Sequence, residues 1–374
     1  MVAQFYAWYA GRQAWRLHNL VYSTLLDRPT VPRAGVDLLY SASRREVLAG
    51  HDVITIGASS GGVEALSTLV GGLPADLPAA VLVVLHFPQE APSALPRILG
   101  RAGPLEAFHP EDGDRLEGGR VYVAPPGLHL LVEDGRVRLA RGPKENGHRP
   151  AVDPLFRTAA LAYGPRAVGV VLTGADDDGT AGLVAIKRMG GVAVVQDPDD
   201  ALFRPMPESA LRHVDVDYCA PVGEMAPLLA RLVRGPAEKV GAYTAPEDLV
   251  LEAKISGLEP SVIEGGRHPG KLSGFTCPEC SGPLYGIEDG PLTRFRCRVG
   301  HAYTAEAVLE GKNGALEEAL YAALNALEEA AEMAEKLAAR AQSGGQPRAS
   351  ERFQARARKS REQATKIRRV MTEG

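Results

Sequence analysis

Four short stretches, Val53 to Ile56, Val81 to Leu85, Val168 to Leu172 and Gly191 to Val195, are apolar or small at almost every position instead of at alternate ones. A strand with one wet face alternates. A run without alternation must be covered on both faces, and a parallel sheet clothed by helices on either side is the arrangement that does so. The segments between these runs have helical periodicity, so the chain carries the βα rhythm of a doubly wound, mostly parallel α/β fold. Between Glu106 and Arg141 the rhythm changes to short turns and hairpins, with Val121 to Ala124 and Leu128 to Val132 separated by Pro-Pro-Gly, which predicts an antiparallel excursion from the core.

At 374 residues the chain is long for one core, and two or three domains are expected. Residues 1–49 read as an N-terminal extension holding both tryptophans, Trp8 and Trp15, and four of the eleven tyrosines. That composition fits a poorly ordered or translated upstream segment, or an amphipathic stretch in which Arg12 and Arg16 sit among aromatics. Residues 50–235 carry the α/β pattern, 236–272 form a linker of mixed charge, 273–303 a small cysteine-bearing module, and 304–374 a helical hairpin broken at Ser343 to Pro347. Its first helix is rich in glutamate and its second in arginine and lysine, so antiparallel pairing sets opposite charges side by side.

The net charge of -4 gives no general attraction to nucleic acid or anionic lipid. A basic face made by Arg348, Arg352, Arg356, Arg358, Lys359 and Arg361 lacks the aromatic platform of a nucleic-acid binder, and pairing with the acidic helix, a protein partner or a second copy suits it better. No apolar run approaches the roughly 20 residues that cross a bilayer. Three of the four cysteines fall within about 20 positions, which is not how a disulfide scaffold distributes them. A cytoplasmic protein is expected.

Chemistry concentrates at the ends of the apolar runs. Val53 to Leu66 reads as strand, glycine-rich corner and helix, with Gly57 and Gly61 flanking Ser59 in G-x-S-x-G. Such a turn projects a serine Oγ beyond the sheet edge, where a helix N-terminus favours developing negative charge. The same turn can cradle a phosphate in a dinucleotide-binding fold, but there the second strand ends in an acid that holds a ribose. Here it ends in His86, an imidazole placed to take a proton from a hydroxyl, although a solitary histidine can equally be structural. A third run ends in Thr173-Gly174-Ala175-Asp176-Asp177-Asp178-Gly179, whose carboxylates can orient a base, cap a helix or hold a metal. Sites of open α/β sheets collect at carboxyl ends of this kind.

The module at 273–303 has Cys277-Pro278-Glu279-Cys280, then Cys297 and His301, a C-x2-C and C-x3-H pair of half-sites. Four such ligands suit a structural Zn²⁺ with no open position, and the second half-site would be unexplained in a redox pair. Cys219, on an expected strand, reads as a small buried residue.

Residues 50 to about 232 resemble the catalytic domain of bacterial chemotaxis protein-glutamate methylesterases. The resemblance rests on Gly57 to Gly62, on His86 after its strand, on His148-Arg149-Pro150-Ala151-Val152-Asp153 with Leu155-Phe156, on Leu172-Thr173-Gly174 through Asp178-Gly179, and on Met206-Pro207. It implies Ser59 as nucleophile, His86 as general base and Asp178 as the residue orienting His86. Backbone N–H groups near Ser60 and Ala175 are implied oxyanion donors, with His148, Arg149 and Met206 in the substrate region. The implied substrate is a methylated, chemoreceptor-like protein, and catalysis needs no cofactor. The module and tail resemble the zinc ribbons that follow receiver-less members of the family. Two departures stand out. Only some 50 residues precede the domain, too few for a receiver, so phosphorylation in cis is not the expected switch. Ala175 and Asp176 stand where the family has Met and Gly, and three adjacent aspartates repel one another. Methyl-ester hydrolysis leads, glutamine deamidation and other protein esters keep the same hydrolase, and a non-catalytic adaptor using ribbon and helices is the remaining class.

Overall fold

The computed structural model describes residues 51–87, 93–235, 245–260, 262, 268–290 and 292–373, so the N-terminal extension and parts of the expected linker lie outside the described residues. Seven strands form one parallel sheet: β1 (Val53–Ala58), β2 (Ala80–Leu85), β3 (Glu106–Phe108), β4 (Arg120–Val123), β7 (Ala167–Val171), β8 (Val192–Gln196) and β9 (Tyr218–Ala220). Their spatial order is β3-β4-β2-β1-β7-β8-β9. From β1 the chain winds first to β2 and on towards β3, then returns to the other side of β1 at β7, so the fold reverses its winding there, the place where open α/β sheets bind ligands.

Both faces are clothed, which explains the missing alternation. Ile54, Ile56, Val81, Val83, Val168 and Val170 point to one core with α1 (Gly62–Gly71), α2 (Leu95–Ala102) and α6 (Val222–Arg234). Val53, Leu82, Val84, Val171 and Val195 point to the other, with α3 (Val152–Tyr163), α4 (Thr180–Arg188) and α5 (Pro205–His213). Each such side chain is worth about 1.5–3 kcal/mol on full burial. The excursion is smaller than the sequence suggests. Val121 to Val123 lie in β4, parallel to β2, and only β5 (His129–Glu133) and β6 (Arg136–Ala140) pair antiparallel. Asp134 and Gly135 turn that hairpin with φ of 48° and 72°, the left-handed pair a two-residue loop needs.

Two readings need correction. Cys219 is on a strand, β9, but is exposed, because β9 is the sheet edge. The stretch taken as linker contains α7 (Glu247–Ser256), docked by Leu249 and Ile255 and burying Glu252 and Ser256. A helix that buries a carboxylate and a hydroxyl has no apolar stripe to read.

The module at 273–303 is a four-stranded antiparallel sheet, β10 (Lys271–Thr276), β11 (Pro283–Asp289), β12 (Leu292–Cys297) and β13 (Ala302–Thr304). It joins the α/β unit through buried ions. Arg296 reaches both Glu145 (3.0 Å) and Glu252 (2.8 Å), Arg294 holds Glu252 with two nitrogens at 2.8 and 2.9 Å, and Arg157 holds Glu145 at 2.9 Å. Beyond it run α8 (Ala305–Ser343) and α9 (Pro347–Glu373), paired antiparallel along Ala331, Ala334, Ala338, Ala357 and Ala364. Arg361 meets Glu335 and Arg368 meets Glu328, the charge pairing the sequence calls for. No described helix is long and apolar enough to cross a membrane.

Candidate active site

Ser59, His86 and the loop 173–179 follow β1, β2 and β7, three neighbouring strands. Ala58 is in register with Leu85, and the His86 N–H donates to the Ala58 carbonyl at 3.2 Å, so Ser59 and His86 leave the sheet side by side. The serine turn closes through Ser59 N–H to Thr173 C=O at 3.0 Å and Gly62 N–H to Ser59 C=O at 2.9 Å. Gly61 caps α1 at φ 75°, a left-handed conformation that a side chain resists. The N-terminus of α1 therefore begins beside Ser59.

Gly174 separates Ser59 from the buried Met206. A Cβ there would lie 2.9 Å from Ser59 Cβ and 1.9 Å from Met206 Sδ. Gly174→Ala should accordingly cost about 1–3 kcal/mol by overpacking, read as a lower denaturant midpoint with unchanged slope. An unshifted midpoint would mean that Met206 moves aside freely. Arg149 turns one guanidinium nitrogen to the Gly142 carbonyl at 2.9 Å. Among the described residues the N–H groups of Ser60 and Ala175 have no intramolecular acceptor.

The His86 ring is clamped. His86 Nε2 lies 2.8 Å from Asp178 Oδ2, and Asp178 is fully buried. Two helix N-termini fix this acid by reciprocal capping. Asp178 accepts the Val152 and Asp153 N–H groups of α3 at 2.6 and 3.2 Å, while Asp153 accepts the Gly179 and Gly182 N–H groups of α4 at 3.0 and 2.6 Å. Burial would push the Asp178 carboxyl up, but the hydrogen bond and charge of His86 and the Val152 N–H hold it below the usual range. Asn146 extends the support, donating to Asp178 Oδ1 and Asp153 Oδ2, both at 3.2 Å, and accepting the Thr304 N–H of the ribbon at 3.0 Å. Sequence reasoning missed Asn146 and Asp153 as parts of the site. Asp153 carried a weak signal as an acid in the first turn of a helix, and Asn146 carried none.

The other ring nitrogen is the surprise. His86 Nδ1 lies 3.1 Å from Asp176 Oδ2, and no hydrogen bond joins it to Ser59 Oγ among the described residues. His148 stacks on His86 with ring centroids 3.7 Å apart and places its Nε2 3.0 Å from the same Asp176 oxygen. Burial alone would lower the His86 pKa, yet hydrogen bonds and charge from Asp176 and Asp178 outweigh it and raise it to about 9. The expected mutual repulsion of the three acids is relieved by separate partners. Asp176 faces two imidazoles, Asp178 faces His86 and two helix ends, and Asp177 is buried and pushed up to about 7 chiefly by that burial.

Residues 54–229 match the CheB methylesterase family. A relative in Leptospira interrogans, named provisionally as a protein-glutamate methylesterase/protein-glutamine glutaminase, is 37% identical over 190 residues, 50% of this chain and 98% of that protein. The chain belongs to the CheB methylesterase family. Protein-glutamate methylesterase/protein-glutamine glutaminase 2 of Methanosarcina mazei is 38% identical over 200 residues, and the matched part spans 54% of that relative and 51% of this chain. The crystal structure of the Thermotoga maritima CheB methylesterase catalytic domain is 33% identical and superposes on 49% of this chain and 98% of its own, with a TM-score of 0.47. Family membership thus covers the α/β unit, and the ribbon and hairpin fall beyond the matched residues.

In the ribbon, the ligand atoms of Cys277, Cys280, Cys297 and His301 lie within 4.8 Å of one another. The separations Cys280 Sγ–Cys297 Sγ of 3.6 Å, Cys297 Sγ–His301 Nδ1 of 3.5 Å and Cys277 Sγ–His301 Nδ1 of 3.8 Å match the edges, about 3.5–3.8 Å, of a tetrahedron with ordinary Zn–S and Zn–N bonds. The four residues fit a metal ion.

Proposed function

We propose that this chain is a serine hydrolase that removes methyl groups from glutamate methyl esters on a protein of the chemoreceptor type and releases methanol. The observation that carries the reading is the His86 ring, set at a strand end beside Ser59 with Nε2 locked by an acid that two helix ends hold in place. With Nε2 committed to Asp178, Nδ1 is the nitrogen left to serve Ser59, and substrate entry must displace Asp176 from it. Ser59 Oγ then attacks the ester carbonyl while His86 takes its proton, and the oxyanion develops against the Ser60 and Ala175 N–H groups, each worth roughly 3 kcal/mol where well placed. His86 returns the proton to departing methanol. Water, deprotonated by the same imidazole, cleaves the acyl-enzyme and restores the carboxylate.

Glutamine deamidation is the second reading, favoured by the paired activities in the relatives' names. It uses the same acyl-enzyme with ammonia as leaving group. Mass spectrometry of methylated and glutamine-bearing receptor peptides after incubation decides between them. Loss of a methylene mass at methyl-glutamyl sites supports the first reading, and conversion of glutamine alone supports the second.

The ribbon is proposed to hold one structural Zn²⁺ through Cys277, Cys280, Cys297 and His301, with no part in the chemistry. Structural zinc of this kind supplies folding free energy outright, about 10–16 kcal/mol in finger peptides. Chelation should therefore release hydrogen-exchange protection across β10 to β13 while β1, β2 and β7 stay protected. Protection retained in a zinc-free chain would contradict the assignment.

A further inference from the structure

Segment 144–148 carries two side chains that touch the pair formed by His86 and Asp178. His148 stacks on His86, and the Asn146 amide donates to Asp178. The segment closes a tight turn on itself, Glu145 N–H to His148 C=O at 3.2 Å and His148 N–H to Glu145 C=O at 2.9 Å, with Asn146 and Gly147 at φ of 49° and 81°. The ribbon then holds that turn from outside. β13 lies alongside it as an added parallel strand, with Asn146 N–H donating to Ala302 C=O at 2.8 Å and Ala302 N–H donating to Lys144 C=O at 3.3 Å. Side chains reinforce the seam. Lys144 Nζ lies 2.8 Å from Glu279, which stands between the two cysteines of the first half-site, and Glu145 accepts from Arg296 of β12.

One further contact carries the seam into the site. The two ends of an amide side chain are opposite in character, and a neighbour selects which end it meets. The Thr304 N–H can only donate, so at 3.0 Å it draws Asn146 Oδ1 towards the ribbon and leaves Nδ2 to donate to Asp153 Oδ2 and Asp178 Oδ1. Turned the other way, the amide oxygen would face two carboxylates. We infer that the ribbon is a working part of the active site: by pairing β13 with segment 144–148 it orients the Asn146 amide, which makes Asn146 a positioning residue for Asp178 and, through it, for His86. Asp153 and Asp178 are both buried and repel one another, and the two amide hydrogens of Asn146 bridge them. With Oδ1 engaged in this way, Asp178 keeps Oδ2 aimed at His86 Nε2. The family match ends at residue 229, so this hold on the site comes from the module that the chain carries beyond it. The consequence for rate rests on the esterase reading above.

The test compares the full chain, its ribbon loaded, with Asn146→Gly and Asn146→Asp. Glycine keeps the left-handed turn and removes only the amide, while aspartate keeps the shape and sets an oxygen where the N–H group was. Circular dichroism checks the fold. Both variants should label at Ser59 with a serine-directed fluorophosphonate, and hydrolyse methyl esters, roughly 10–100-fold more slowly than wild type, the range that a small misplacement of a catalytic group costs. The loss should fall on kcat more than on KM. A carboxylate that has lost a donor is the stronger base and holds an imidazolium more tightly. His86, which faces Asp176, Asp178 and His148, should therefore titrate at higher pH in Asn146→Gly when its ring is followed by NMR, a shift that loss of packing alone would not give. Chelation of the ribbon ion should slow labelling of wild type and release amide exchange across residues 144–148, but should slow Asn146→Gly little further, because both changes break one contact. Asn146→Gly labelling at the wild-type rate with His86 unmoved, Asn146→Asp restoring that rate, or chelation acting equally on wild type and Asn146→Gly overturns the inference. If wild type neither labels nor hydrolyses, the esterase reading fails, while the His86 titration still decides the role of Asn146.

Discussion

On the proposed mechanism, Ser59→Ala should lower the rate of methanol release by about 10⁴–10⁶ with the fold intact. The magnitude follows from the division of labour at three strand ends. In that mechanism no acyl-enzyme would form without Oγ, and what would survive is binding plus the proposed oxyanion N–H groups of Ser60 and Ala175, which would still polarise a carbonyl for direct attack by water. Thermal midpoint and metal content should match wild type, because among the described residues Ser59 Oγ makes no hydrogen bond that supports the turn; that turn is closed by backbone bonds to Thr173 and Gly62. The assay is methanol release from a methylated receptor fragment by both proteins. Loss of less than tenfold would mean that another group carries the attack.

The second large effect concerns stability. Glu252 is 1% exposed and accepts from Arg294 through two nitrogens and from Arg296 through one. Glu252→Gln leaves three guanidinium groups facing only Glu145 and Asp289 in a dry interface, and removal of one partner of a buried ionic cluster costs about 3–5 kcal/mol. Chemical denaturation should show a loss of that size, with new hydrogen exchange in β11 and β12, and a loss under about 1 kcal/mol would place the cluster in water. The same carboxylates give a pH dependence with a definite sign. Burial pushes Glu145 and Glu252 up, but the charges and hydrogen bonds of Arg157, Arg294 and Arg296 hold both below their ordinary value of 4.5. Their stabilisation is thus fully present above that value and is lost as the pH falls through the lower folded values. The difference in unfolding free energy between wild type and Glu252→Gln should hold constant from pH 7 to about pH 5 and shrink as the pH falls further.

How much of this could be read in advance differs by element, and the reasons are physical. The buried strands were evident because cover on both faces removes the alternation from Val81 to Leu85 and leaves an unbroken apolar run. The serine turn and the Cys-Cys-Cys-His ribbon were evident because backbone geometry and metal coordination demand fixed spacings of particular residues. Helix α7 reads as linker in the sequence because its buried face carries Glu252 and Ser256, and burial by ion pairing looks like exposure in a hydropathy pattern. Val121 to Val123 read as part of the excursion because a short strand after a turn does not reveal which neighbour it pairs with, and in the fold it pairs with β2. In the site, the choice of Asp178 among three adjacent aspartates depended on family resemblance. The roles of its neighbours depended on the fold, since only the meeting of α3 and α4 makes Asp153 and Asp178 cap each other's helices. The second hydrogen bond of His86 had one visible trace, an aspartate standing where a glycine was expected.

The most direct measurement is covalent labelling of the full chain, carrying its ribbon ion, with a serine-directed fluorophosphonate, followed by intact-mass analysis and peptide mapping. One adduct per chain on Ser59, formed much more slowly in His86→Ala, is the result expected of a hydroxyl activated by that imidazole. No adduct, or an adduct on Ser59 formed equally fast without His86, would contradict it.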